Sequence, residues 1–295
     1  MQTYPHDWWA DVHSPAIHVQ ATALVNAPQL PHDVFITSSE FKMSAALQLS
    51  RSAFSEAEWQ TRCDLAALYR ILHYFGWVDT INTHMSARIP DQPQCFVINR
   101  YGEMFDEISA SSLIKMDMDG NVIGGPGRFN NAGFTIHSGV LKARPDANCV
   151  LHTHTRAGAG VALLQDGLRP ISQDALHVLD DLAYHPYGVP ATEEECEALG
   201  RTCANGSHVV LLNHGLLSFG PTIHGALMRM YMLERACELE LIARSMSTPA
   251  VMIDPFVVQK AAERMRKVRN TADYGLMEWQ GLVRTMERGG ADYRR

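Results

Sequence analysis

The sequence has no excess of basic residues: 25 Lys and Arg stand against 32 Asp and Glu, a formal charge of −7. Phosphate backbones are held by a clustered basic face, so nucleic-acid binding is not expected. Cysteine is scarce, at six residues (63, 95, 149, 196, 203 and 237). No C-x-x-C pair or tight spacing suggests a zinc ribbon or a disulfide framework, and the cysteines read as mostly buried free thiols. No apolar run approaches the ~18 residues of a membrane span. The first basic residue is Lys42, so the charged start of a secretory leader is missing. A cytoplasmic protein with no membrane partner is expected. What the chain does have is 14 histidines in a composition otherwise ordinary for a globular protein, 46% hydrophobic and 19% charged.

Residues 1–54 carry prolines at 5, 15, 28 and 31 and no clear periodicity, and read as an N-terminal extended arm. Ser55 and Glu58 make an S-x-x-E capping box. Leu65, Leu68, Tyr69, Leu72 and Phe75 then share one helical face, and Gly76 ends the helix. A globular domain over 55–250 follows. Strands are expected at Cys95–Asn99, at Leu113–Met118 turned by Asp119-Gly120 into Asn121–Ile123, at Asn148–Thr153 and at His208–Asn213, with a further strand to Phe219. Helices are expected over 132–143, 156–164, from the Thr192/Glu195 capping box to near Gly206, and from Pro221 to about Arg244. The last segment, 251–295, reads as one helix at roughly 255–268 and a polar tail.

In Leu151-His152-Thr153-His154 the two histidines are two apart, which in a strand places both on one face, where they can chelate one metal ion. Asn213-His214-Gly215 follows an apolar strand, and the glycine permits a sharp turn that aims a third ring over the sheet edge.

Five segments carry a family resemblance: Leu65–Arg70, Thr83–Arg88, Arg144–Asp146, His152–Thr155 and Asn213–Leu216. Their order and spacing resemble the class II aldolase/adducin family, with Ala132-Gly133-Phe134, Pro170-Ile171-Ser172 and Ala183-Tyr184-His185 resembling its adducin-like bacterial branch. The resemblance implies an α/β fold: three α/β/α layers around a mainly antiparallel sheet, in a homotetramer whose neighbours complete the site. It implies that His152, His154 and His214 bind a divalent metal, usually zinc, with manganese or Fe(II) as alternatives that ligand type does not separate. Such a cation acts as a Lewis acid toward a substrate carbonyl and hydroxyl.

The chain departs from the family at one point that matters. Sugar-phosphate aldolases carry a Pro-Ser-Ser-Glu-like segment before a helical histidine, and here Asn130-Asn131-Ala132-Gly133 precedes His137. Gly133 stands where the family has its acid/base glutamate, and His84 where it has a phosphate-binding asparagine. A phosphorylated sugar is disfavoured. His137 and Glu103 are the replacement acid/base candidates. His84, Ser86 and Arg88 are candidates for holding a substrate carboxylate, Arg88 through its bidentate fork, and Asn99, Tyr101 and Gly102 lie in the loop where family members meet substrate. Glu107, His177 and His185, and the C-terminal Tyr274, Trp279 and Tyr293, are weaker candidates. The expected function is a metal-dependent lyase that cleaves or decarboxylates a non-phosphorylated hydroxy or keto carboxylate through an enediolate. The alternatives are an Fe(II)-dependent oxygenase of the same fold and a non-catalytic adducin-like scaffold.

Overall fold

A computed structural model describes residues 51–124 and 127–295. The arm expected over 1–54 lies outside the described residues up to position 50. Helix α1 (Glu56–Phe75) starts where expected, with the Ser55 side chain accepting from the Glu58 N–H, and ends at Gly76 in the left-handed conformation, φ 71°. The capping box is only half formed. The Glu58 carboxylate does not return to the cap but lies 3% exposed between Arg62 (2.9 Å) and Lys115 (2.8 Å). Thr192 likewise caps α5 (Glu193–Cys203) by accepting from the Glu195 N–H, while the Glu195 carboxylate bonds His185 instead. In both cases a tertiary contact of the carboxylate outcompetes the local cap.

The strands are β1 (His84–Ile89), β2 (Gln92–Ile98), β3 (Ile114–Asp117), β4 (Val122–Ile123), β5 (Cys149–Thr153), β6 (Leu182–His185), β7 (His208–Leu211) and β8 (Gly215–Gly220). They form an eight-stranded sheet in the order β4-β3-β2-β1-β5-β8-β7-β6. All pairings are antiparallel except β6 with β7. One face is covered by α1, by α3 (Arg156–Val161) and by the long α6 (Ile223–Ser245), and the other by α2 (Asn131–Ala143) and α5. This is the expected three-layer α/β/α architecture. Burial of Leu227, Met230, Leu233, Ala236 and Cys237 in the first layer accounts for the apolar character of α6 within a single chain.

Strand alternation decides which side chains can reach the site. In β1, Met85, Ala87 and Ile89 enter the core under α1 and α6, and in β5 Cys149 and Leu151 do the same. His84, Ser86 and His152 therefore project from the opposite face, the one α2 covers. The register pairs His84 directly with His152.

A short helix α4 (Gln173–Leu176) precedes β6, and α7 (Pro255–Arg269) matches expectation. The polar tail expected after it is instead a second helix, α8 (Leu276–Arg288), with Trp279, Leu282, Val283 and Met286 packed against the α1/α6 core. Those residues recur at the three-to-four spacing of a helix face, a pattern masked by the charged residues between them. Among the described residues no helix is long and apolar enough to cross a membrane.

Candidate metal centre

His152 stands near the end of β5, His154 in the segment after it, and His214 in the turn between β7 and β8. The Nε2 atom of His154 lies 2.9 Å from Nε2 of His152 and 2.9 Å from Nε2 of His214. The turn works differently from the sequence expectation. The left-handed residue is Asn213, φ 60°, not Gly215. Gly215 is needed for close approach, because a Cβ there would sit 2.4 Å from the Thr153 carbonyl oxygen and 3.1 Å from the His154 ring.

Two of the rings are anchored from behind. His152 Nδ1 lies 2.9 Å from the Leu216 carbonyl oxygen, which fixes Nδ1 as the donor and leaves the Nε2 lone pair facing inward. His154 Nδ1 lies 2.9 Å from Asp79 Oδ2 in the loop before β1. Burial first, and then the neighbouring histidines, push His152 well below the ordinary imidazole range and His214 to about 4. Both rings are neutral at pH 7, the form that ligates a metal. Three nitrogens around a tetrahedral zinc, at Zn–N of about 2.0–2.1 Å, stand about 3.3 Å apart. The two 2.9 Å separations need a few tenths of an ångström of relaxation to meet that demand, all three donors lie within 4.8 Å of one another, and the donor set fits a divalent cation.

Asp79 escaped the sequence reading, being a lone loop acid 75 residues from its partner. It supplies the carboxylate that, in a carboxylate–histidine–metal arrangement, orients the ligand ring. Its side chain is 42% exposed, so Asp79→Ala is expected to leave the melting temperature nearly unchanged and to lower zinc affinity about 10–100-fold. Competition with a chelating dye measures this, and unchanged affinity would refute the orienting role.

Beside the triad runs a second chain of buried side chains. His84 Nδ1 lies 2.8 Å from His137 Nε2, and His137 Nδ1 lies 2.5 Å from Ser86 Oγ. The His84 and His152 ring centroids are 5.1 Å apart. Burial, with His152 adding to it, holds His137 down at about 3, so this chain too is uncharged. The Nε2 edge of His84 fills the space over Gly133, where a Cβ would meet Nε2 and Cδ2 at 2.7 Å. The glycine at the family's glutamate position and the histidine at its asparagine position are thus one steric unit.

The other expected site residues are placed elsewhere. Arg88 directs Nε, Nη1 and Nη2 to the carbonyl oxygens of Ala147, Pro93 and Leu141, so each nitrogen of the fork expected to grip a carboxylate already bonds backbone. Asn99 accepts from the Tyr69 hydroxyl at 2.8 Å and is buried under α1. Glu103 accepts from Ser112 Oγ at 2.8 Å, with Arg100 at 3.8 Å, and its contacts include none of the histidines. Glu107 caps the Met104 N–H. Tyr101 is 41% exposed and Gly102 has φ 104° in the same loop. His185 is held between Thr202 Oγ1 (2.8 Å) and Glu195 (3.0 Å). Tyr274 packs on Arg229, and the Tyr293 hydroxyl donates to Glu287. Neither tyrosine approaches the triad within this chain.

Thr155, next to His154, caps α3 and donates to Glu234 Oε2 at 2.5 Å. Burial lifts the Glu234 carboxyl to about 7, against an ordinary 4.5. A raised acid is protonated in both states at low pH. As pH climbs from 4.5 through 7 the unfolded chain ionises first, and the native state loses on the order of 3 kcal/mol. Glu234→Gln is therefore expected to gain stability over wild type between pH 5 and pH 8, by about 2–3 kcal/mol in metal-free denaturant titrations. Parallel pH profiles would contradict this.

A family model described as "Class II Aldolase and Adducin N-terminal domain" matches residues 63–241. The chain belongs to that family. It is 43% identical over 243 residues to the Caulobacter vibrioides "Putative aldolase class 2 protein", spanning 81% of this chain and 93% of that one. It is 40% identical to mouse alpha-adducin over 194 residues, 64% of this chain and 26% of the adducin. The crystal structure of an aldolase II superfamily protein from Pseudomonas syringae matches with a TM-score of 0.78 at 39% identity, covering 83% of this chain and 99% of the other.

Proposed function

We propose that this family member is a metal-dependent carbon–carbon lyase acting on a non-phosphorylated hydroxy or keto carboxylate, with zinc as the resident cation. The observation that carries the reading is the convergence of three Nε2 atoms, two of their rings anchored at Nδ1. His152, His154 and His214 would hold the cation. When bound, it supplies a Lewis acid that takes up the charge left on a substrate oxygen as a carbon–carbon bond breaks.

The chain's own residues supply the proton handling. With Gly133 unable to carry a proton, the group nearest that position is His84. When Ser86 Oγ–H donates to His137 Nδ1, His137 Nε2–H donates to His84 Nδ1, and His84 presents a proton on Nε2. Reversal of the chain leaves Nε2 as an acceptor. His137 and Ser86 set that tautomer and do not themselves meet substrate. Loss of carbon dioxide suits this arrangement, since it requires reprotonation of the remaining fragment but no prior abstraction by a carboxylate.

The reading is tested by incubating zinc-loaded protein with a panel of β-keto and β-hydroxy-α-keto acids and following release of carbon dioxide and of aldehyde. Turnover abolished by His152→Ala and strongly reduced by His84→Ala supports it. Tight metal binding with oxygen uptake in place of cleavage would favour the oxygenase, and absence of both metal and turnover the scaffold. A homotetramer completing the site is part of the same proposal.

A further inference from the structure

A shallow, open depression begins at His214 and runs between α2 and the loop after β6. Its walls are largely apolar: Ile136 from α2, Leu199 from α5, Leu212 from the end of β7, and the Tyr187 ring, 6.3 Å from that of His214. Its polar side chains are already engaged. Thr135 donates to the Asn131 carbonyl, and His185 and Glu195 bond each other at 3.0 Å. Among the described residues no lysine or arginine lines it. An anionic group entering it would meet no cation and would face the Glu195 carboxylate.

We propose that the substrate carries an uncharged apolar substituent, alkyl or aryl, beside its metal-chelating oxygens, and that this substituent lies in the depression. The inference rests on the metal reading above and adds the substrate class. Continuity with His214 selects this occupant: a molecule chelated at the triad has the depression as its apolar neighbour. The chelating end provides the anchor, and burial of the substituent provides discrimination.

The test uses three bidentate chelators of different tail: acetohydroxamate, benzohydroxamate and phosphonoacetohydroxamate. Each is titrated into zinc-loaded wild-type protein by calorimetry. Benzohydroxamate is expected to bind at least about tenfold more tightly than acetohydroxamate, and the phosphonate no more tightly than acetohydroxamate. Ala132→Leu, which adds bulk at the rim of the depression beside Gly133, is expected to erase most of the benzohydroxamate advantage, and Tyr187→Ala, at an exposed ring, to reduce it. Equal affinities for all three, as when another part of the chain or a second copy covers the depression, would overturn this inference and leave the metal reading standing. A preference for the phosphonate would also overturn it. Failure of every hydroxamate to bind would overturn both.

Discussion

Gly133→Glu is expected to destabilise the protein by about 1–3 kcal/mol, because its Cβ would lie 2.7 Å from the His84 ring. That cost corresponds to a fall in melting temperature of roughly 2–12 °C for a body of this size. The His84 ring has nowhere to retreat: it is 5% exposed, pinned through Nδ1 to His137 and set at a tilt beside the His152 ring. His84→Asn alone is also destabilising, since it leaves His137 Nε2 buried without its partner. Combined, the two substitutions relieve one another, the shorter amide opening the space the glutamate needs. The His84→Asn/Gly133→Glu double variant is therefore expected to be more stable than the sum of the single effects by at least about 1.5 kcal/mol. Melting curves on metal-free protein measure the cycle. Strict additivity would show that the two positions are independent, and the substitution of histidine for glutamate proposed here would lose its structural basis.

His152→Ala has the largest expected effect on the metal. His152 contributes one of three nitrogens and is 1% exposed, so no water-borne ligand replaces it in place. Zinc affinity is expected to fall by at least about a thousandfold, because a site of two histidines holds the cation far less tightly than one of three. The fold is expected to survive without metal, since two extensive cores flank the sheet independently of the triad. Far-ultraviolet circular dichroism and chelator competition separate the two effects. Retention of near wild-type affinity would mean that the cation sits elsewhere.

The triad was legible in the sequence because its logic is local: two histidines stand two apart where a strand ends, and a third follows a buried strand at a turn. What surrounds it was not. The pairing of Asp79 with His154 depends on where the loop before β1 returns, and the position of His84 on a register that sets it opposite His152. Arg88 looked like an anion fork because its residue type suits one, yet its three donors satisfy carbonyls at a sheet edge and a helix end. Glycine carried a mixed message. Gly76 takes the left-handed conformation expected of a helix end, while Gly215 is small for the sake of a neighbouring carbonyl and Asn213 takes the positive φ. The starts of α1 and α5 followed from cap signals and the three-layer architecture from the family resemblance, whereas β1 and β6 were not expected as strands and α8 was missed because its apolar face is diluted by charge.

The central claim is that this chain holds one divalent cation on His152, His154 and His214. The measurement that tests it most directly is the metal content of the purified wild-type protein, after reconstitution with zinc and removal of excess by gel filtration. About one zinc per chain, lost from His152→Ala under the same treatment, is the result the account predicts. No retained metal in the wild type, or equal retention in the variant, would contradict it.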